Sequence, residues 1–262
     1  MPAQLPSTLD LSVDGAVAVI RIRRPEKRNA LNDETVKGLH AAFVSLPAAV
    51  RAVVLCGEGE HFCAGLDLSE VGGEPDLMAG IRHSQHWHRA FQEIQFGRVP
   101  VFAVLHGAVV GGGLELAAST HVRIAEHSTF YALPEGQRGI FLGGGGSVRI
   151  PRLIGVPLVQ DMMLTGRALS AEEGFAAGAS QYLVEDGAGF QKALELAKKA
   201  AGNTDMTNFA VLHALPRIAD ADPSIGYLTE ALTASIAQNM PEAKQRVRDF
   251  LAKKAAKVAK PT

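Results

Sequence analysis

Two short runs constrain the fold of this chain more than any other feature: RAVVLCG at 51–57 and VFAVLHG at 101–107. Each is almost wholly apolar and closed by glycine. A strand with one wet face alternates apolar and polar residues, whereas an unbroken apolar run marks a strand covered on both faces, as in a parallel sheet flanked by helices. HVRIAE (121–126) reads as a third such strand, and LDLSV (9–13), the turn Asp14-Gly15 and AVAVIRI (16–22) read as a hairpin. Between hairpin and first run, Asn32 or Asp33 can cap a helix whose apolar residues Val36, Leu39, Phe43 and Leu46 recur at helical spacing.

Strand, crossover and strand thus alternate through the first 150 residues, which predicts an α/β fold with a largely parallel sheet. Beyond about residue 150 the strand signal nearly vanishes, QYLVE (181–185) excepted. Helical patterns occupy 157–164, 170–177, 188–201, 206–218, 223–238 and 241–257. No linker rich in Pro, Gly or Ser separates this region from the core. There is also an internal echo: Leu55-Cys56-Gly57 leads to AGLDL (64–68) as Leu105-His106-Gly107 leads to GGLEL (112–116). Either two successive turns of one right-handed stack or a chance likeness between two glycine-rich loops accounts for it.

Composition narrows the partners. The 262 residues carry 26 basic and 27 acidic side chains, a formal charge of −1. That balance argues against nucleic acid or an anionic membrane as partner, and a hydrophobic share of 47% argues against disorder. Cys56 and Cys63 are too few for a disulfide framework and lack metal-ligand spacing, so a reducing, cytoplasmic setting is expected. The opening MPAQLPSTLDLSVDG has neither the basic start and apolar run of a secretory signal nor the Arg-rich pattern of a transit peptide. VPVFAVLHGAVVGGGLELAA (99–118) approaches the ~20 residues of a membrane span. His106, Glu115 and four glycines break it, so a buried strand feeding a helix is expected.

Four segments carry the candidate chemistry. HFCAGLDL (61–68) puts small residues after a buried strand, where the backbone must turn sharply. GAVVGGGLEL (107–116) sets three glycines before an apolar helix, whose first N–H groups lack internal partners and sit at the positive end of its dipole. Two such loops facing each other could aim two N–H donors at one carbonyl oxygen. In ALPEGQRGIFLGGGGSVRI (132–150), Glu135 follows a proline in a run otherwise apolar or rich in glycine. With Glu115 it forms a pair of carboxylates; lining one pocket, they would have at least one raised pKa and supply an acid and a base. Two solvated glutamates are the alternative. RRPEKRNALN (23–32) is a basic turn suited to a phosphate-rich ligand or simply to solvent.

Taken together, these segments resemble the crotonase (enoyl-CoA hydratase/isomerase) superfamily. RPEKRNALN is similar to its CoA-contacting turn, HFCAGLDL and HGAVVGGGLEL to its two oxyanion-hole segments, and PEGQRGIFLGGGGSVRIPRLIG (134–155) to the segment of its second catalytic acid. The resemblance implies a crotonase-like spiral of ββα repeats over 1–195, bearing the CoA and catalytic site. It also implies a helical trimerisation region over 196–262, with assembly as a homotrimer or homohexamer. It places oxyanion N–H groups at Leu66 and Gly112 and the acid/base pair at Glu115 and Glu135. CoA contacts fall at Lys27, Arg28, Ala30, Ala64 and Asp67, and, from a neighbouring subunit, at a lysine of the KKAAK run such as Lys253. The implied partner is an acyl-CoA thioester, with no metal or other cofactor, since coenzyme A belongs to the substrate.

Two glutamates favour hydration of a short or medium 2-enoyl-CoA. Isomerisation or thioester hydrolysis on the same site, and a catalytically silent scaffold, remain alternatives. The GQRGIFLGGGG stretch departs from the usual family pattern and is similar to a branch containing methylthioacryloyl-CoA hydratase. Within it, Arg138 could pair with a carboxylate or lie in solvent, and Ser147 reads as a helix cap. His83, His86 and His88 mimic a metal cluster but have no acidic ligand at usable spacing. Trp87 and Phe91, four apart, read as the packed face of a helix near the acyl pocket. His106 reads as structural, and nothing marks Cys63 as a nucleophile.

Overall fold

The structure, a computed structural model, describes residues 5–70 and 76–254. The chain divides after Ala201 into two units.

The first unit opens with β1 (Leu9–Asp14) and β2 (Val17–Ile22), paired antiparallel with Asp14 opposite Val17. The turn residues are therefore Gly15 and Ala16, one place later than expected. Gly15 at φ +59° occupies the first turn position, which a type II′ hairpin reserves for glycine. Helix α1 (Asp33–Val44) starts at Asn32, whose side chain accepts the Thr35 N–H at 3.0 Å. There follow β3 (Ala52–Gly57), α2 (Leu77–Gln95), β4 (Val101–Leu105), β5 (Ala108–Val110), α3 (Gly112–Ala118), β6 (Val122–Glu126) and β7 (Phe130–Ala132). The unit closes with α4 (Gly146–Ile154), α5 (Val156–Thr165), β8 (Leu169–Ser170), α6 (Ala171–Ala177), β9 (Tyr182–Val184) and α7 (Gly189–Ala201).

The larger sheet runs β1-β2-β3-β4-β6-β9 and is parallel after its opening hairpin. The two apolar runs form its centre, with Ala52–Cys56 and all of β4 buried. One face (Val53, Leu55, Val101, Ala103, Leu105) packs into the main core with Val36, Leu39, Phe91 and Leu116 of the helices. The other (Val54, Cys56, Phe102, Val104) packs with Ala193, Ala197 and Ala201, the alanine stripe of α7. This two-sided cover is why neither run alternates.

A smaller sheet, β5-β7-β8, is extended by parallel bridges from Leu31 to Leu66 and from Cys63 to Val109. Each turn of chain therefore makes a long strand, a short extended piece and a helix. β2, Leu31 and α1 form one turn; β3, Cys63–Leu66 and α2 the next; β4, β5 and α3 the third. The echo of the two glycine-rich loops is thus a structural repeat, for β3 lies beside β4 and Cys63 beside Val109. The fold is the expected spiral of ββα repeats. Strands β5, β7 and β8 have only two or three residues each, too short to leave an alternation in sequence. Helix α4 was hidden by its glycine start and internal Pro151.

The second unit is helical: α8 (Asp205–Phe209), a π-turn at Ala210–Ala214, α9 (Leu215–Asp220), α10 (Pro223–Asn239) and α11 (Pro241–Leu251). The π-turn lies just ahead of Pro216, which has no N–H for the regular ladder. The last residues of the helix expected at 241–257 lie outside the described residues. No described helix is long and apolar enough to cross a membrane.

Candidate active site

Glu115 sits in the first turn of α3, its backbone N–H donating to the Gly111 carbonyl. Its side chain is 4% exposed, so it is no solvated loop glutamate. Oε1 accepts the N–H groups of Gly144 at 2.9 Å and Gly146 at 2.7 Å. Burial pushes this carboxyl up to about 7, with the nearby Glu135 adding to the rise and the two N–H groups and Arg149 opposing it. The glycines are a steric requirement. A Cβ on Gly146 would stand 2.5 Å from Glu115 Cγ, and one on Gly144 3.0 Å from Oε2 and 3.1 Å from both Phe91 and Trp87.

Glu135 precedes a 3-10 turn at Gly136–Arg138, and its carbonyl accepts the N–H groups of Arg138 and Ile140. It too is buried, at 6% exposure, and Oε2 has no hydrogen-bond partner. Burial raises its pKa, and the charge of Arg138 opposes the rise. Gly111 lies against this carboxyl, since a Cβ there would be 2.6 Å from Oε1. Arg138 itself is exposed, acting on Glu135 through charge.

Leu66 and Gly112 come together beside these carboxyls. The Leu31 bridge uses the Gly65 carbonyl and the Asp67 N–H, which turns the intervening Leu66 N–H to the far side. There it meets the head of α3: a Cβ on Gly112 would lie 3.3 Å from the Leu66 nitrogen and 3.0 Å from the Trp87 ring. Glycine at 112 thus keeps the gap between the two N–H groups and the indole open. Trp87 and Phe91, edge to face with centroids 5.5 Å apart, lie on the packed face of α2 as expected, and that face meets the glycine loop at Gly144.

The basic turn is tied to this loop. Arg28 and Asn29 take left-handed backbone at φ +51° and +56°. The buried Asn29 donates to the carbonyls of Glu58 at 2.8 Å and His61 at 2.6 Å. The Ala64 N–H donates to the Arg28 carbonyl, and Arg24 reaches both the Ala30 carbonyl and, at 2.8 Å, Asp67. Hydrogen bonds from Ser69 and Arg24 hold the Asp67 carboxyl down to about 2. Its side chain is engaged in bracing the turn. Lys27 and Arg28 are exposed on that turn. Lys253, exposed at φ +57°, belongs to the second unit, and Lys257 of the same run lies outside the described residues.

Other expectations resolve plainly. Gly145 at φ +91°, not Ser147, precedes α4; Ser147 is inside its first turn. His83 does have an acidic neighbour, Asp33 at 3.1 Å, brought by α1 rather than by sequence spacing. Among the described residues, however, no three His, Cys, Asp or Glu side chains are grouped to hold a metal ion. His106 Nε2 bonds the Gly59 carbonyl at 3.2 Å, and burial pushes the Cys63 thiol up to about 12, leaving it inert as a nucleophile. Arg149 went unread in the sequence. It is 7% exposed, donating through Nη1 to the Gly144 carbonyl at 3.0 Å and through Nε to Gln95 at 2.7 Å. The available signal was a cation three residues past a glycine run that starts a helix.

Fold and site together define a class, and comparison with known proteins agrees. The model of the enoyl-CoA hydratase/isomerase family matches residues 12–254. The short-chain-enoyl-CoA hydratase of Clostridium acetobutylicum is 31% identical over 226 residues, 84% of this chain and 86% of that relative. A solved structure from Rhodopseudomonas palustris CGA009, itself a proposed enoyl-CoA hydratase, is 56% identical with a TM-score of 0.93, covering 96% of this chain and 98% of that one. The enoyl-CoA hydratase of Bacillus anthracis is 28% identical with a TM-score of 0.88, covering 94% and 97%. This chain belongs to the enoyl-CoA hydratase/isomerase family.

Proposed function

We propose that this chain is an enoyl-CoA hydratase, adding water across the 2,3 double bond of a short or medium 2-enoyl-CoA. The observation that carries this reading is the pair of buried carboxyls, Glu115 and Glu135, both with raised pKa and one with an unpartnered oxygen. In the proposed mechanism, the thioester carbonyl accepts the Leu66 and Gly112 N–H groups, which stabilise charge developing on its oxygen. Glu115 takes a proton from water as the hydroxyl attacks Cβ, and Glu135 delivers a proton to Cα on the same face. One water is consumed and no electrons change hands, so the reaction calls for no redox cofactor, and the N–H pair and the two carboxyls would supply the polarisation and proton transfer it needs. A base whose pKa lies near neutrality suits this work. Trp87 and Phe91, close against Gly112 and Gly144, support a short acyl group.

The proposed CoA contacts are the Lys27, Arg28 and Ala30 turn and the backbone at Ala64, with Asp67 bracing them. Lys253 would reach the CoA of a neighbouring subunit in a trimer or hexamer. Exposed Tyr227, Leu228, Leu232 and Ile236 on α10 support such an assembly.

Loss of the conjugated-thioester absorbance of crotonyl-CoA tests the reading, with Glu115→Gln and Glu135→Gln beside the parent. Fast loss without free thiol, abolished in both variants, is expected. Stoichiometric release of CoA would move the assignment to thioester cleavage after hydration. Absence of turnover with crotonyl-CoA and with sulfur-substituted and branched 2-enoyl-CoAs would overturn it.

A further inference from the structure

The four glycines at 143–146 form a loop without side chains, yet this loop holds Glu115. Two of its N–H groups, from Gly144 and Gly146, converge on one carboxylate oxygen. Glycine backbone is the least self-restraining a protein can use, so something else must hold these donors in place. Two contacts do so. Behind the loop, α2 presents Ser84, Trp87, His88 and Phe91 at helical spacing, against Gly143, Gly144 and Gly145. From α4, the Arg149 guanidinium reaches back over the loop and donates to the Gly144 carbonyl, between the two N–H groups that grip Glu115. The other edge of its fork is fixed on Gln95, the last residue of α2. A side chain at Gly145 would collide with Arg149 Nη1, so this glycine makes room for the guanidinium.

We propose that Arg149 is a positioning residue: its planar fork clamps the glycine loop between α2 and α4 and thereby fixes Glu115 in place for proton transfer. This rests on the reading of Glu115 as an acid/base group. Nearly all of Arg149 is buried, where its other acceptor among the described residues is the Gln95 side chain, and a buried cation is costly to keep unless its fixed geometry is used. Its charge acts on the same carboxyl. The titratable groups facing Glu115 are Glu135, from the turn after β7, and Arg149; α2 brings the neutral rings of Trp87 and Phe91, with His88 against Gly145. Glu135 pushes the Glu115 carboxyl up and Arg149 pulls it down. Without Arg149, Glu115 would hold its proton to higher pH and its carboxyl would lose a fixed position.

The test compares the full-length parent with Arg149→Gln, Arg149→Lys and Gln95→Leu. Two quantities are read: kcat for crotonyl-CoA hydration against pH, and the carboxyl carbon-13 titration of Glu115, assigned by its loss in Glu115→Gln. Arg149→Gln should lower kcat by about 10²-fold, the scale of a misplaced catalytic group. It should also move both the acidic limb of the kcat profile and the Glu115 titration up, by about one pH unit. Arg149→Lys restores the charge without the fork, so the titration should return while kcat stays depressed. Gln95→Leu, which frees one edge of the fork, should lower kcat with KM little changed. A uniform loss of kcat with the Glu115 titration unmoved would mean that Arg149 only supports the fold, and would overturn the proposal. So would parent-like kcat in Arg149→Gln or, should that variant not fold, in both Arg149→Lys and Gln95→Leu. If the parent hydrates no enoyl-CoA, the functional reading falls, while the carboxyl titration still decides whether Arg149 controls Glu115.

Discussion

Two loops of similar length carry or hold the two glutamates, and they prepare them in opposite ways. The Gly143–Gly146 loop contributes only backbone and grips Glu115 through two N–H groups, with a buried arginine behind. The turn after Glu135 leaves that carboxyl with an unpartnered Oε2, and its own backbone N–H and then the exposed Arg138 oppose the rise in its pKa. Burial raises the pKa of both despite this difference, so desolvation outweighs hydrogen bonding in each case. What the contrast sets is restraint: one carboxyl is gripped by two N–H groups, and the other keeps a buried oxygen without a partner. The largest effect expected tests whether both are needed. Glu115→Gln and Glu135→Gln should each lower kcat by roughly 10²–10⁴-fold, the usual worth of a general acid or base. Full activity in either variant would end the paired reading.

A second prediction sets stability against activity. The folded protein holds the Glu115 proton up to about pH 7, whereas an unfolded glutamate releases it near 4.5. The folded state therefore binds more protons within that window, and stability falls as pH rises through it. Glu115→Gln removes the charge while its amide oxygen can still accept both glycine N–H groups. Thermal or urea unfolding should then find the variant more stable than the parent above pH 7, by up to about 3 kcal/mol, and no more stable below pH 4. Glu135→Gln should shift stability in the same direction. An inactive yet more stable protein is the behaviour expected of a site strained for function.

The two loops should also respond differently to one added methyl group. A Cβ on Gly144 meets Glu115, Phe91 and Trp87 at 3.0–3.1 Å, so Gly144→Ala overpacks the site. It should cost about 1–3 kcal/mol in urea unfolding and lower kcat as well. At Gly139, beyond Glu135, a Cβ meets nothing within 4 Å, but the backbone is left-handed at φ +69°. Gly139→Ala should therefore cost about 1 kcal/mol of backbone strain, with kcat little changed. Equal effects on kcat would erase the distinction between the loops.

Much of this was legible in sequence, for identifiable reasons. The apolar runs at 51–57 and 101–107 announced a sheet covered on both sides, because burial on two faces removes all polar residues from a strand. Asn32 announced its helix because a cap is a local hydrogen bond. Glu115 and Glu135 stood out as acids in apolar or glycine-rich surroundings, and both are buried near one another. The rest depends on contacts between distant segments. Asp33 meets His83 only because α1 packs on α2, and Gln95 meets Arg149 across more than fifty residues. Arg149 was passed over because its role comes from a helix starting at Gly146, and glycine and proline hid that helix. The GGG of 111–113 was legible as a close approach. Its partner, the Trp87 ring, was not.

The smallest prediction concerns the exposed counterpart of Arg149. Arg138 favours the ionised form of Glu135, so Arg138→Ala should raise the Glu135 carboxyl further and move its limb of the kcat/KM profile to higher pH. Water surrounds this guanidinium, so the move should be a few tenths of a pH unit at low ionic strength. It should shrink as salt is added, because exposed charges are screened over about 10 Å at ordinary ionic strength. The Arg149 effect should persist in salt, since that charge is buried and its hydrogen bonds are direct. The two arginines are thus separable by ionic strength alone. A salt-insensitive move in Arg138→Ala as large as that in Arg149→Gln would mean that the Glu135 turn is clamped as firmly as the glycine loop, and the asymmetry between the two carboxyls would not hold.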